Sequence, residues 1–185
     1  MKKDEVVDEE SPASIPQRKP NVFERLDKNN SNVTIEEGDR IISNKTSGWC
    51  TVKIRGSLEN YVNDTLEVLV HSQGSGSDGS GFMFGVIYAE EEFRNGEYPG
   101  QQFFSFARHG TVYSSNNAIE GGIGSNNCGK WGNGDRLRLN LDPNTGEFTL
   151  DVNEERRLTL KLNITKPVCW CIGMYYTTQK VEILF

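Results

Sequence analysis

Apolar and polar positions alternate along most of the chain. Val52 and Ile54; Leu66, Val68 and Val70; Leu137, Leu139 and Leu141; Phe148, Leu150 and Val152; Leu158, Leu160 and Leu162; and Val181, Ile183 and Phe185 sit two apart among mostly polar neighbours. A period of two lays one face of a strand on a core and turns the other to solvent. Phe82–Tyr88 and Val168–Met174 are apolar almost throughout, as central strands of a two-layer fold would be. Turn chemistry separates the runs: Arg108-His109-Gly110 between two aromatic segments, and Asp142-Pro143-Asn144-Thr145-Gly146 between two alternating ones. No window of a dozen residues carries apolar groups at helical spacing. The exception is Val22–Leu26, expected to form one or two helical turns on the domain edge. The pattern predicts an all-β chain of about ten short antiparallel strands with little or no helix, arranged as a sandwich of two sheets.

Composition sets the boundaries. The first 20 residues hold five acids, four bases and three of the six prolines but almost no large apolar side chain, so they cannot bury a core. Residues 1–21 therefore read as a disordered tail and 22–185 as one domain. Within that domain Ser72–Gly81 (SQGSGSDGSG) reads as a flexible loop between two strands. The formal charge of −6 disfavours nucleic acid and anionic membrane as partners. No run approaches the roughly 20 apolar residues of a spanning helix, and MKKDEVVDEE has no apolar core for a secretory signal. A cytoplasmic or nuclear chain, not a secreted one, is the expectation. Cys50, Cys128, Cys169 and Cys171 then read as free, mostly buried thiols. Cys169-Trp170-Cys171 lacks the C-x₂-C knuckle of structural zinc, so no metal is expected.

Candidate chemistry falls away on inspection. Gly74-Ser75-Gly76-Ser77-Asp78-Gly79 satisfies G-x-G-x-x-G, but a strand-like segment follows where a dinucleotide site needs a helix. Gly124–Lys130 approaches a phosphate-cradling loop, but Trp131 stands where a Ser or Thr would hold Mg²⁺. His71 and His109 have no acid–nucleophile pattern around them and read as a strand-end and a turn residue. Glu90-Glu91-Glu92 reads as a solvated loop. No catalysis and no cofactor are expected.

In order and spacing the chain resembles the SPRY family. Trp131-Gly-Asn-Gly-Asp135-Arg-Leu-Arg-Leu-Asn-Leu-Asp142 followed by Thr145-Gly-Glu-Phe-Thr-Leu-Asp-Val-Asn153 is similar to the family's C-terminal pair of strands. Leu66-Glu-Val-Leu-Val stands at its W-E-V strand, Phe84-Gly85-Val86 at its apolar-G-V strand, and Phe104–Tyr113 at the hairpin that follows. Val168–Met174 and Lys180–Phe185 match the closing strands, so the resemblance spans about residues 31–185. Leu66 replaces the usual Trp and Leu150 the usual Phe. The resemblance implies a bent, concanavalin-like antiparallel β-sandwich that binds a protein or peptide partner, without catalysis, in a pocket built from loops. Several such proteins are adaptors for ubiquitin ligases; here a ligase role would need a separate subunit.

Carried over by position, the partner-binding candidates are Lys45 and Thr46 after Arg40–Ser43, Glu92, Arg94 and Tyr98 after Phe84–Ala89, and Tyr175, Tyr176 and Thr177 before the last strand. Strand neighbours alternate, so one of the two tyrosines is expected to enter the core and Tyr176 to face the pocket. The alternative function is a galectin-like, carbohydrate-binding lectin, because Trp131-Gly132-Asn133-Gly134-Asp135-Arg136 resembles W-G-x-E-x-R. That reading requires Trp131 exposed on a concave sheet face. A jelly-roll glycosidase would need two carboxylates across a groove.

Overall fold

The computed structural model describes residues 23–24, 32–36, 38, 40–54, 64–74, 81–91, 104–115, 118–120 and 127–184. The proposed tail 1–21 and the centre of the Ser/Gly segment, 75–80, lie outside them. Strands are numbered in chain order. One sheet of six runs β1 (Phe23–Glu24), β4 (Cys50–Ile54), β12 (Val168–Met174), β6 (Phe82–Tyr88), β7 (Phe104–Ala107) and β8 (Val112–Ser114). A second of seven runs β11 (Glu155–Lys161), β10 (Glu147–Val152), β9 (Arg136–Leu141), β5 (Asp64–Gln73), β13 (Gln179–Ile183), β3 (Ile41–Asn44) and β2 (Val33–Glu36). Every pairing is antiparallel. The expected all-β, two-sheet sandwich is the observed one, and the described residues contain no helix.

The alternating residues meet between the sheets. Leu66, Val68 and Val70 of β5, Leu137, Leu139 and Leu141 of β9, and Phe148 and Leu150 of β10 are fully buried against Phe82, Phe84, Val86, Phe106 and Ile172 of the facing sheet. β12 and β6 lie side by side in the middle of their sheet, as their continuous apolar character required. Two expectations need correction. Phe23–Glu24, read as helical, is a short strand paired with Ile54 and Lys53, because an open sheet edge satisfies its backbone groups better than an isolated turn does. The Ser/Gly segment is also shorter than its composition suggests, since β5 continues through Ser72 and Gln73.

The outer faces of the two sheets differ. On the seven-stranded sheet Thr65 Oγ1 donates to Asn140 Oδ1 (2.8 Å), and Asn140 Nδ2 donates to Thr149 Oγ1 (3.2 Å). Beside this polar ladder runs a charged one, with Glu67 between Arg136 (2.6 Å) and Arg138 (4.0 Å), and Asp151 paired with Arg156. The six-stranded sheet is instead buried on its outer face too. Thr51, Lys53, Met83, Ile87, Ser105, Cys169 and Cys171 are all buried, where one solvated face was expected for β4. Lys53 Nζ donates to the carbonyls of Ala89 (2.8 Å) and Glu91, so its ammonium is buried against backbone oxygens. Tight packing also fixes Gly85 in β6: a Cβ there would lie 2.2 Å from the Phe104 carbonyl oxygen.

All four cysteines are free and buried. Burial pushes the Cys128 thiol up to about 11; a backbone hydrogen bond and the Arg157 charge oppose this only in part. Burial also raises Cys171, helped by its neighbour Cys169.

Gly85→Ala is expected to destabilise the fold by about 3 kcal/mol or more, because the obstructing atom is backbone, as read by urea unfolding. Between about pH 9 and 11 the unfolded chain loses a Cys128 proton that the folded chain retains, so stability falls as pH rises through that window. Unfolding midpoints at pH 8 and 10.5 should show the loss, and Cys128→Ala should reduce it.

Candidate functional site

One end of the six-stranded sheet forms a continuous rim. β12 ends where β4 and β6 begin, with Met174 opposite both Cys50 and Phe82. The loops beyond are tied together through their backbones. The Gly48 amide donates to the Tyr175 carbonyl (2.8 Å), the Tyr175 amide to the Gly81 carbonyl (2.8 Å), and the Arg108 amide to the Phe82 carbonyl (3.0 Å). Strand spacing therefore sets out Gly48, Tyr175, Gly81 and Arg108 in a row.

Aromatic rings stand on this rim. Trp49 and Tyr175 meet edge to face at 5.4 Å, and Tyr175 meets Tyr176 at 5.0 Å. Tyr175 is 36% accessible, the one large hydrophobic side chain exposed among the described residues. Neither tyrosine enters the core, contrary to expectation, and Tyr175 rather than Tyr176 is the more open. The physical reason is that the strand stops at Met174; residues 175–178 form a turn in which strict alternation no longer holds. Tyr176 lies over two glycines, and Cβ atoms there would come within 2.7 Å of its ring at Gly81 and 3.1 Å of its Cβ at Gly74.

A buried glutamine organises the turn. Gln179, 1% accessible, accepts on Oε1 from the amides of Tyr175 (2.8 Å) and Tyr176 (3.0 Å), and its Nε2 donates to the Gln73 carbonyl (3.2 Å). One side chain thus ties the turn to β5 in the other sheet. Thr178 takes positive φ, 66°, and its amide donates to the Asn44 carbonyl (2.9 Å). Lys45 and Thr46 leave β3 exposed, with the Lys45 amide on the Asn32 carbonyl (2.8 Å). Lys45, Thr46, Tyr175, Tyr176 and Thr177 are therefore brought together at one end. Glu92, Arg94 and Tyr98 lie outside the described residues; Tyr88–Glu91, which lead to them, stand at the opposite end of β6 from Gly81.

Sequence reasoning missed Trp49 and Gln179. Both carried a signal in their phase. Trp49 is out of step with the inward set Cys50, Val52 and Ile54, and Gln179 is a polar residue in step with the inward set Val181 and Ile183.

Trp131 does not meet the lectin requirement. It is 3% accessible and packs against Phe82 (5.3 Å), Phe84 (5.2 Å) and Phe106 (6.5 Å). No sugar can stack on it. Asp135 is occupied as well, accepting from the Gly132 amide (2.6 Å) and Asn153 Nδ2 (2.7 Å), while Arg136 pairs with Glu67. Glu90 of the acidic run is bound to Lys166. A groove of about 300 Å³ on the outer face of the seven-stranded sheet is lined by Glu67, Arg136, Arg138, Asp151 and Glu154. Glu67 pairs there with Arg136 and Arg138, and Asp151 with neighbouring Arg156, so the groove offers a ligand little unmet electrostatic attraction.

No family model and no curated protein sequence matches the chain. Solved structures do. The SPRY domain of human HERC1 superposes with a TM-score of 0.62 at 15% identity, over 82% of this chain and 91% of that one. The PSpry domain of TRIM65 gives 0.63 at 13%, over 90% of each chain. The NHR domain of Neuralized from Drosophila melanogaster gives 0.56 at 14%, over 93% of this chain and 95% of that one. The chain has the SPRY-like fold.

Replacing Gln179 by Ala removes the side-chain partner of the Tyr176 amide and of the Gln73 carbonyl and leaves the Tyr175 amide only its bond to the Gly81 carbonyl. It is expected to cost about 1–3 kcal/mol in urea unfolding and to change the near-ultraviolet circular dichroism of the Trp49–Tyr175 pair.

Proposed function

We propose that this chain is a non-catalytic protein-interaction module that docks a short peptide or a partner's loop against the rim around Trp49 and Tyr175. Lys45, Thr46, Tyr176 and Thr177 complete the surface. The observation that carries the reading is the edge-to-face pair of half-buried Trp49 and exposed Tyr175, with the Tyr175 backbone held from both sides by Gly48 and Gly81. Tryptophan and tyrosine supply much of the binding energy at protein interfaces. A surface already fixed before binding loses little entropy when a partner arrives. The SPRY-like fold agrees with such a role, since its loops sit on a rigid sandwich. Recruitment of the partner into a larger assembly, as an adaptor subunit of a ubiquitin ligase or another complex in the cytoplasm or nucleus, is the setting the reading favours.

Affinity capture from cell extract by the wild type and by Trp49→Ala/Tyr175→Ala tests this. The double variant is expected to keep its melting temperature within a few degrees and to lose specific proteins at least tenfold, the scale of one good hot spot. Retention unchanged in the double variant would overturn the reading. Glycoproteins eluted by free sugar would point to a lectin after all.

A further inference from the structure

The rim has a charge opposite to that of the chain. The protein carries a formal −6, yet along the aromatic row the described ionisable side chains are basic. Lys45 is exposed in the β3–β4 loop at one side. At the other, exposed Lys130 precedes Trp131, whose amide donates to the Arg108 carbonyl (3.2 Å). Neither lysine makes an ion pair among the described residues. The described acids near this end are engaged elsewhere. Asp135 is taken by Gly132 and Asn153, Glu155 by Arg157 (2.9 Å), and Glu182 by His71 (2.8 Å). Glu154 lines the arginine groove on the far sheet. Asp78 lies outside the described residues.

We infer that the rim is selective for an acidic peptide segment: two carboxylate side chains flanking an apolar residue that packs on Trp49 and Tyr175. Spacing follows from the sheet. Gly48, Tyr175, Gly81 and Arg108 stand just beyond the ends of four neighbouring strands, β4, β12, β6 and β7, three steps of roughly 4.8 Å, or about 14 Å. An extended peptide covers that in about four residues. Two separate ammonium groups suit two separate carboxylates. A phosphate dianion is better served by converging guanidinium forks, and a polyanion such as nucleic acid or an anionic membrane would feel the net −6 of the whole chain.

The inference rests on the docking reading above, and the experiment separates the two. A random dodecapeptide library is panned on the full chain, with Trp49→Ala/Tyr175→Ala as the counter-target. Enriched peptides should carry Asp or Glu three to five positions apart around an apolar residue. By fluorescence anisotropy, Lys45→Glu/Lys130→Glu should weaken the best fluorescein-labelled peptide by about 3- to 10-fold in 50 mM salt and much less in 1 M. A peptide with Lys for each acid should regain binding to that variant. Both lysines are exposed and unpaired, and an unchanged melting temperature confirms that the variant folds. Peptides without acids, lost on the aromatic double variant but indifferent to the lysines, would overturn the charge selectivity and leave the docking rim standing. No enrichment over the counter-target would overturn both. Tighter binding to labelled oligothymidine or phosphatidylserine vesicles than to any peptide would also overturn the inference.

Discussion

Trp131 enters the sandwich from its rim and fills the gap between the sheets against Phe82, Phe84 and Phe106. Much of the rim depends on this insertion. The Trp131 amide holds the Arg108 turn, and the loop after it closes through Gly132 and Asp135 onto the start of β9. The same loop supplies Asn133, whose Oδ1 accepts from the Gln73 amide (2.7 Å) and so holds the end of β5. A loop residue in the core thus sets the positions of three neighbouring connections. Its indole Nε1 is buried without a partner, and packing of the ring must outweigh that loss.

Gln179 does for the other half of the rim what Trp131 does for the first. A polar side chain in the core is tolerated because its oxygen and its nitrogen are both used, on the amides that follow β12 and on the Gln73 carbonyl. The result is a turn tied to both sheets, with an aromatic pair above a core end that already holds fully buried Met174 and Phe82. Exposure of Tyr175 is therefore a property of the scaffold.

The two sheets divide the remaining surface between them. The outer face of the seven-stranded sheet satisfies itself through ladders of threonine and asparagine and of arginine and carboxylate. Such exposed pairs add little stability, about 0–1 kcal/mol each, but they leave few groups seeking partners. The outer face of the six-stranded sheet is covered. Neither face competes with the rim as a place where aromatic surface and unpaired charge come together.

Alternation alone marks the principal strands, because a half-buried strand must alternate and Leu137-Leu139-Leu141 or Phe148-Leu150-Val152 can satisfy only one geometry. The sequence by itself also determined that β6 and β12 would be central, that the thiols would be buried, and that Lys45, Thr46 and Tyr175–Thr177 lie in connections. Phase even marked Trp49 and Gln179, although a single out-of-phase residue does not say what it will touch. Other features depend on contacts between residues far apart in the chain. Whether Trp131 faces solvent or core is invisible in W-G-N-G-D-R, since both a sugar platform and a core plug call for a large aromatic beside glycines. Phe23–Glu24 became a strand only because the edge of β4 was there to pair with it. The choice between Tyr175 and Tyr176 depended on a turn that begins one residue after Met174, and on glycines at 74 and 81, distant in the chain, that make room for one ring and not the other. Local periodicity is carried by neighbours in sequence; which side of a turn stays open is set by what the other sheet brings against it.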